Sequence, residues 1–184
     1  MKHTFLIITF FCLLPVISIS QGRYATKKGE ISFEASMPSF EEVRAKNSNV
    51  SAILNSDNGE FATLALVNGF RFKVALMEEH FNENYIESSK FPKTTFKGKI
   101  IDFDLSKLSK SETAFFVTGT ITMHGIDKKL KVPALLTIED TTIAMDLQFS
   151  LRPEDFNIKI PKIVSKKIAD NIEVIASYKL IKSN

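Results

Sequence analysis

The sequence predicts an all-β fold, an extended antiparallel β-barrel of about eight strands with one short amphipathic helix at one end. Apolar and polar residues alternate along most of the chain, turn residues separate the alternating runs, and no crossover helix stands between them. Strands joined by short turns pair as an antiparallel meander. Such a meander can close on itself and bury its apolar face without exposed edges. A two-sheet sandwich is the alternative.

The alternating runs place the strands in order along the chain. In each run one face carries apolar side chains and the other carries mainly charged or hydroxyl side chains, which is typical of a half-buried strand. The runs that alternate are Ile31–Ala35, Phe70–Leu76, Phe96–Ile100, Phe115–Ile121, Leu130–Ala134, Ile143–Phe149 and Val174–Leu180. Apolar runs at Ile53–Leu54 and Phe61–Val67 complete the set.

Turn residues separate several of these runs. Asp57-Asn58-Gly59 predicts a hairpin. Asn68-Gly69 stands between two apolar runs and predicts either a tight turn or a bulge. His124-Gly125-Ile126-Asp127 and Glu139-Asp140 predict two further turns.

One segment departs from the alternation and predicts the short helix. The residues that recur at spacings of three and four are Met77, His80, Phe81, Asn84 and Tyr85. They share one face of a helix that ends before Phe91-Pro92. A second helical turn or two is predicted over Ser39–Lys46, and Ile163–Asn171 is ambiguous between helix and loop.

Residues 1–20 have the pattern of a secretory signal peptide. Phe5–Ile17 is apolar but too short to span a bilayer comfortably, and Ser18 and Ser20 place small residues where signal peptidase reads the chain. We therefore expect cleavage before Gln21 and a mature domain over residues 21–184, periplasmic or secreted. An uncleaved anchor is the alternative, and no later apolar stretch is long enough for a membrane-spanning helix.

Composition and motifs argue against several functional classes. The net charge of +3 is too small to indicate nucleic acid or an anionic membrane as partner. Cys12 lies within the expected signal peptide, so the mature domain has neither a thiol nucleophile nor disulfides. The sequence also lacks a glycine-rich phosphate loop, a nucleophile elbow, and zinc or calcium patterns. We therefore expect no enzymatic activity, no metal site and no cofactor.

Two histidines follow residue 20, His80 and His124. The simplest interpretation is that each bonds the backbone at a helix or turn. The alternatives are that both meet at a barrel end to bind a metal, or that one orients a serine for catalysis. Lys128-Lys129-Lys131 and Lys166-Lys167 are interpreted as solvated faces, with steering of an anionic head group as the alternative.

Phenylalanine dominates the aromatic residues, with 16 Phe, 3 Tyr and no Trp. Phe supplies bulk without a hydrogen-bond donor and suits an apolar interior. In a barrel of this size the interior is either filled by side chains or holds one small ligand. Small residues at inward positions favour a cavity, and these are Ala35, Gly98, Gly119, Ala134 and Ala176.

The candidate ligand-binding residues are the apolar and aromatic side chains expected on the inner faces of the strands and on the helix. They are Phe33, Phe70, Phe72, Val74, Leu76, Phe81, Tyr85, Phe96, Ile100, Phe115, Val117, Ile121, Leu147 and Phe149.

Three motifs resemble signatures of one family. They are Met77-Glu78-Glu79-His80-Phe81 followed by Tyr85–Gly98, Val117–Lys128, and Arg152–Ile158. Together they resemble the YceI-like family of polyisoprenoid-binding periplasmic proteins, over about Gly29 to Leu180. The chain departs from the family where Glu78-Glu79 replaces a frequent Arg-Asp and where Asn157 replaces Gly.

The resemblance implies an extended lipocalin-like barrel whose tunnel holds an isoprenoid chain such as a quinone or polyprenyl phosphate. It also implies export and, often, a homodimer. We therefore expect a periplasmic carrier or storage protein for an isoprenoid lipid. One alternative is a non-enzymatic structural or stress-related periplasmic protein with a filled barrel. The other is an enzyme using His80 and His124, which requires both to face one cavity.

Overall fold

A computed structural model describes residues 22–37 and 40–183, so the expected signal peptide lies outside the described residues. The strands in this part of the chain are β1 (Arg23–Ser36), β2 (Arg44–Asn55), β3 (Glu60–Leu66), β4 (Arg71–Phe72), β5 (Lys93–Ile100), β6 (Thr113–Met123), β7 (Ile126–Glu139), β8 (Thr142–Leu151) and β9 (Ile168–Lys182). Its α-helices are α1 (Ala75–His80) and α2 (Lys162–Ser165). None of the helices described is long and apolar enough to cross a membrane.

The long strands close into an antiparallel barrel. Their order is β1-β9-β8-β7-β6-β5-β3-β2, and the pairing of β1 with β2 completes the ring. Strand β4 is a short additional strand that pairs with β2 at Ala45 and Lys46. The pairing of β2 with β3 lies further along β2, at Ser51–Leu54. Closure confirms the predicted barrel and excludes the two-sheet sandwich.

The turns join most strands as the turn residues predict. Gly59 has φ +74° at the end of the β2–β3 hairpin, a conformation that glycine adopts without a Cβ penalty. His124 and Gly125 both have positive φ between β6 and β7, and so does Asp140 between β7 and β8. At Asn68-Gly69 the chain forms a 3-10 turn over Val67–Gly69. The Phe70 amide closes it by donating to the Val67 carbonyl at 3.2 Å, so the tight turn forms and the bulge does not, although β3 and β4 do not pair with each other.

The predicted strand over Phe70–Leu76 is wrong for most of its length, since only Arg71–Phe72 is extended and paired. The reason is the carboxylate of Glu78. It accepts hydrogen bonds from the Phe72 amide at 3.1 Å and from the Arg71 side chain at 2.9 Å. The Val74 carbonyl then accepts from the Met77 and Glu78 amides and turns the chain into the helix.

Helix α1 confirms the predicted amphipathic helix and continues as a π-helical turn over Phe81–Tyr85. The second predicted helix is wrong. Ser39 lies outside the described residues, residues 40–43 are not helical, and β2 begins at Arg44. There the Val43 amide donates to Ser36 Oγ at 3.0 Å, which draws the chain towards β1. In the segment predicted as helix or loop, α2 ends at Ser165 and β9 begins at Ile168, so its last four residues form a strand that neither alternative predicted.

The interior of the barrel has a filled half, at the end remote from α1. Its side chains come from strands on every side of the barrel and lie almost fully buried against each other. The residues that fill it include Leu54, Ile100, Phe115, Val117, Leu136, Ile143, Met145 and Leu180. The half that lies under α1 is built differently.

Candidate functional site

A cavity of about 350 Å³ occupies the half of the barrel under α1. Strands β1, β3, β5, β6, β8 and β9 supply its walls, with α1 and the segments at and beside β4 and α2 at its open end. The apolar side chains that line it are Ile31, Phe33, Ala35, Val43, Ala65, Val67, Phe70, Phe72, Met77, Phe81, Ile86, Ile121, Met123, Phe149, Leu151, Pro153, Ile158, Ile160, Val164, Ile168, Ile172 and Val174.

Four phenylalanines from different parts of the chain pack together in this wall. Phe33 on β1 is central, with its ring centroid 5.5 Å from Phe70, 5.8 Å from Phe72 and 5.5 Å from Phe81. Phe81 also packs against Phe72 at 5.2 Å. These tilted and edge-on ring pairs hold α1 and its π-helical continuation against the barrel and leave an apolar surface facing the cavity.

Few polar residues line the cavity, and two of them are exposed to solvent. His80, Tyr85, Thr94 and Lys167 are the polar residues in the lining. His80 and Lys167 are exposed, so the cavity reaches the surface between α1 and the start of β9. The site can therefore enclose an apolar chain and present polar groups to whatever part of that molecule stays near the mouth.

Three aromatic residues, Phe61, Phe96 and Tyr178, form an aromatic floor that separates the hollow half from the filled half. Phe61 lies between the other two, with ring centroids 6.2 Å from Phe96 and 5.6 Å from Tyr178. Burial raises the pKa of the Tyr178 phenol, which stays neutral. A gap of about 60 Å³ lies against these rings. The site is thus a pocket closed at one end rather than the tunnel that the resemblance implies.

Gly98 and Gly119 do not widen the cavity as their small size suggests. A Cβ on either residue would lie 2.7 or 2.6 Å from Cζ of Phe96, so the Phe96 ring already occupies the space above them. Of the alanines expected to mark a cavity, Ala35 lines the main cavity and Ala176 lines the small gap. Ala134 lines neither.

The structure brings about half of the predicted site residues together. Those that line the main cavity are Phe33, Phe70, Phe72, Phe81, Tyr85, Ile121 and Phe149. Phe96 and Leu147 line the small gap at the aromatic floor, together with Ile121 and Phe149.

The other predicted residues lie elsewhere. Ile100, Phe115 and Val117 are buried in the filled half and line neither space. Val74 and Leu76 also line neither, because the strand that would have turned them inwards does not form. Val74 directly precedes α1, and Leu76 is 57% exposed on that helix.

Sequence reasoning missed the side of the mouth formed by residues 158–168. Four apolar residues of this segment line the cavity, Ile158, Ile160, Val164 and Ile168. The signal was present in the alternation of Ile158 and Ile160 with Lys159 and Pro161.

His124 lies outside the cavity lining and bonds two acceptors. Its Nδ1 is 2.8 Å from the Phe156 carbonyl oxygen and its Nε2 is 3.1 Å from Glu87 Oε2. The ring also packs 4.4 Å from that of Phe91. Hydrogen bonds from Lys90 and then from His124 hold the pKa of the Glu87 carboxyl below its ordinary value.

The two histidines therefore do not meet. His80 lines the mouth of the cavity and His124 is held in the β6–β7 turn, so the requirement of an enzyme with both in one cavity is not met. In the described part of the chain, no group of three His, Cys, Asp or Glu side chains is placed to hold a metal ion.

Comparison with known proteins gives a family and a fold. The YceI-like domain family matches residues 23–180. A polyisoprenoid binding domain from Saccharophagus degradans, implicated in plant cell wall breakdown, superposes with a TM-score of 0.76 at 12% identity, covering 89% of this chain and 99% of that domain.

Two further solved structures are similar. Burkholderia cenocepacia BcnA has a TM-score of 0.68 at 16% identity, covering 85% of this chain and 97% of its own. The Campylobacter jejuni YCEI protein has a TM-score of 0.65 at 15% identity, covering 80% and 90%. No curated protein matches the sequence. At such low identities these structures establish the barrel fold.

Proposed function

Because this chain belongs to the YceI-like domain family, we propose that it binds a long apolar isoprenoid lipid, of quinone or polyprenyl type, with the tail inside the barrel. The observation that carries the proposal is the apolar cavity of about 350 Å³ with polar groups at its mouth. Small-molecule sites have volumes of about 300–1,000 Å³. The description of the Saccharophagus degradans domain as polyisoprenoid binding also supports it.

Transfer of the tail out of water supplies the affinity. Each methylene moved from water to an apolar wall contributes about 0.8 kcal/mol, so even a few isoprene units give a large gain. No reactive group is needed for this, and we propose that the protein acts by binding rather than by catalysis. A tail longer than the cavity leaves its remaining length at the mouth.

The polar residues of the lining suit the head group. Lys167 offers a positive charge to a phosphate, while His80 and the Tyr85 hydroxyl can donate hydrogen bonds to a phosphate or a quinone carbonyl. Because Lys167 and His80 are exposed, the head group would stay in water while the tail is enclosed.

The biological role we propose is that of a periplasmic carrier or store. It requires removal of the signal peptide, residues 1–20, and release of the mature domain 21–184; a homodimer is also part of the expectation. A structural or stress-related protein with a filled barrel is the rival function. The hollow half of the barrel favours lipid binding over that rival, which needs no cavity.

Replacement of Phe72 by Asp tests the proposal. The half-buried Phe72 ring lies in the cavity wall against Phe33 and Phe81. A carboxylate there has no partner in an apolar wall and disfavours an apolar tail beside it. We expect mass spectrometry of an organic extract to find isoprenoid lipid with the purified native protein and at least tenfold less with Phe72→Asp.

Phe116→Asp is the matched control, because Phe116 is 50% exposed on the outer face of β6 and is not part of the lining. It makes the same chemical change and should leave the lipid content unchanged. Circular dichroism verifies that both variants fold. Equal lipid in both variants, or no lipid with the native protein, would contradict the proposal.

A further inference from the structure

Residues 158–168, here called the basic rim, form one side of the cavity mouth and have two different faces. The inner face consists of the apolar residues Ile158, Ile160, Val164 and Ile168, which line the cavity together with Lys167. The outer face carries Lys159, Lys162, Ile163 and Lys166, all exposed. The same short segment therefore contacts both the cavity and the surroundings.

The outer face of the basic rim is positively charged. The outer face carries three lysines, and Lys167 at the mouth is the fourth lysine of the basic rim. No carboxylate stands among these four in sequence, and within the described residues none of the four forms an ion pair. The helical segment on the opposite side of the mouth carries Glu78, Glu79 and Glu83, which are not part of the cavity lining, and Asp170 follows the rim in β9. A net charge of only +3 for the whole chain conceals this local excess.

Ile163 stands in the middle of these lysines and is 86% exposed. Among the described residues, no other large hydrophobic side chain is as exposed. An apolar side chain held outwards between lysines is typical of segments that lie in the interface of a bilayer. There the apolar group enters the acyl region while the ammonium groups meet the lipid head groups.

We propose that the basic rim docks the mouth of the cavity onto the surface of an anionic lipid bilayer. The proposal rests on the proposed function, because a water-insoluble ligand must pass between a membrane and the cavity. An anionic bilayer is the partner that matches the charge of the rim, since each lysine near an anionic surface adds to the attraction. Contact at this rim would let a lipid tail move along Ile158 and Ile160 into the barrel without crossing bulk water.

Vesicle co-sedimentation of the purified full chain tests the proposal. The probes are vesicles of phosphatidylcholine alone and vesicles that also contain phosphatidylglycerol. The native protein should bind the anionic vesicles, and binding should weaken as salt is raised. We expect Lys162→Ser with Lys166→Ser to lower the partition coefficient roughly tenfold or more. Ile163→Ser should lower it severalfold.

Two control variants make the same chemical changes away from the mouth. Lys97→Ser with Lys99→Ser removes two exposed lysines from the wall of β5. Ile181→Ser removes an isoleucine that is 57% exposed at the other end of β9. Both should bind anionic vesicles as the native protein does.

The outcomes separate this proposal from the function on which it rests. If the protein retains lipid by mass spectrometry but binds both kinds of vesicle equally, or if rim and control variants bind alike, docking by the rim is overturned. A dimer that Ile163→Ser dissociates, without vesicle binding, would assign the rim to a second copy and also overturn it. Absence of lipid from the protein would contradict the lipid-binding function, whatever the vesicles show.

Discussion

His124 has a hydrogen-bond acceptor at each ring nitrogen, the Phe156 carbonyl at Nδ1 and the Glu87 carboxylate at Nε2. A neutral imidazole donates from only one nitrogen, so it cannot donate both of these hydrogen bonds while Glu87 is ionised. The ring thereby joins the β6–β7 turn to two segments of the chain that border the mouth. We call this arrangement of His124, Glu87 and the Phe156 carbonyl the clasp. Its role is structural, since His124 does not line the cavity.

Glu87→Gln should destabilise the protein at neutral pH and matter less in acid. The pKa of Glu87 is lowered in the folded state, chiefly by hydrogen bonds from Lys90 and His124. Its ionised form therefore contributes stability above its ordinary value of 4.5, and that contribution is lost as pH falls through the lower folded value. Urea denaturation at a series of pH values from neutral to acid should show that the difference in free energy of unfolding between native protein and variant shrinks as pH falls.

Glu83→Gln is the control, because Glu83 is exposed and forms no ion pair among the described residues. The effect at Glu87 should also weaken in high salt, since its side chain is one-third exposed. A difference that stays constant with pH would show that the clasp does not depend on the charge of the carboxylate.

At the scale of elements, strands β5 and β6 approach closely where two glycines face each other. Gly98 pairs directly with Gly119. A Cβ on Gly98 would lie 2.2 Å from the Thr118 carbonyl oxygen, and one on Gly119 would lie 2.4 Å from that of Lys97. Backbone atoms cannot yield as a flexible side chain can. Glycine at both positions is therefore required for this pairing and for the Phe96 ring that covers it.

Gly119→Ala should lower the free energy of unfolding by about 1–3 kcal/mol, the usual cost of forcing extra volume into a packed site. The new methyl group would push β5 and β6 apart or displace the Phe96 ring, whose Cζ would be 2.6 Å away. Urea denaturation measures the change. Thr118→Ala, on the exposed face of the same strand, should have little effect. Equal stability of the two variants would contradict this account of the glycine pair.

Strands and turns were predictable because alternation and turn residues are local properties of the sequence. The prediction of a strand over Phe70–Leu76 was wrong because the Phe72 amide donates its hydrogen bond to the side chain of Glu78, which lies beyond the alternating run. The site was predictable in part for a related reason. Alternation indicates which face of a strand points inwards but not how deep in the barrel a residue lies. Phe33 in the cavity and Phe115 in the filled half have the same pattern.

At the scale of the whole molecule, the barrel combines a packed half with a hollow half. Large aliphatic side chains close-pack at one end, and this packing stabilises the fold without disulfides in the described chain. The other end is left open under α1 and the basic rim. The aromatic floor lies where the two halves meet, so its position sets how far any apolar chain can enter.

Phe96→Ala should therefore lengthen the lipid tail that the protein encloses. Removal of the ring enlarges the gap of about 60 Å³ beside Phe61 and Tyr178, which shares Ile31 and Phe149 with the main cavity. We expect mass spectrometry of extracted lipid to shift towards longer isoprenoid chains. Phe115→Ala is the matched control, since it opens space in the filled half without contact with the cavity. It should reduce stability as Phe→Ala changes in a core do, by about 3–5 kcal/mol, and leave the chain lengths unchanged. The same shift in both variants, or none with Phe96→Ala, would show that the aromatic floor does not limit the ligand.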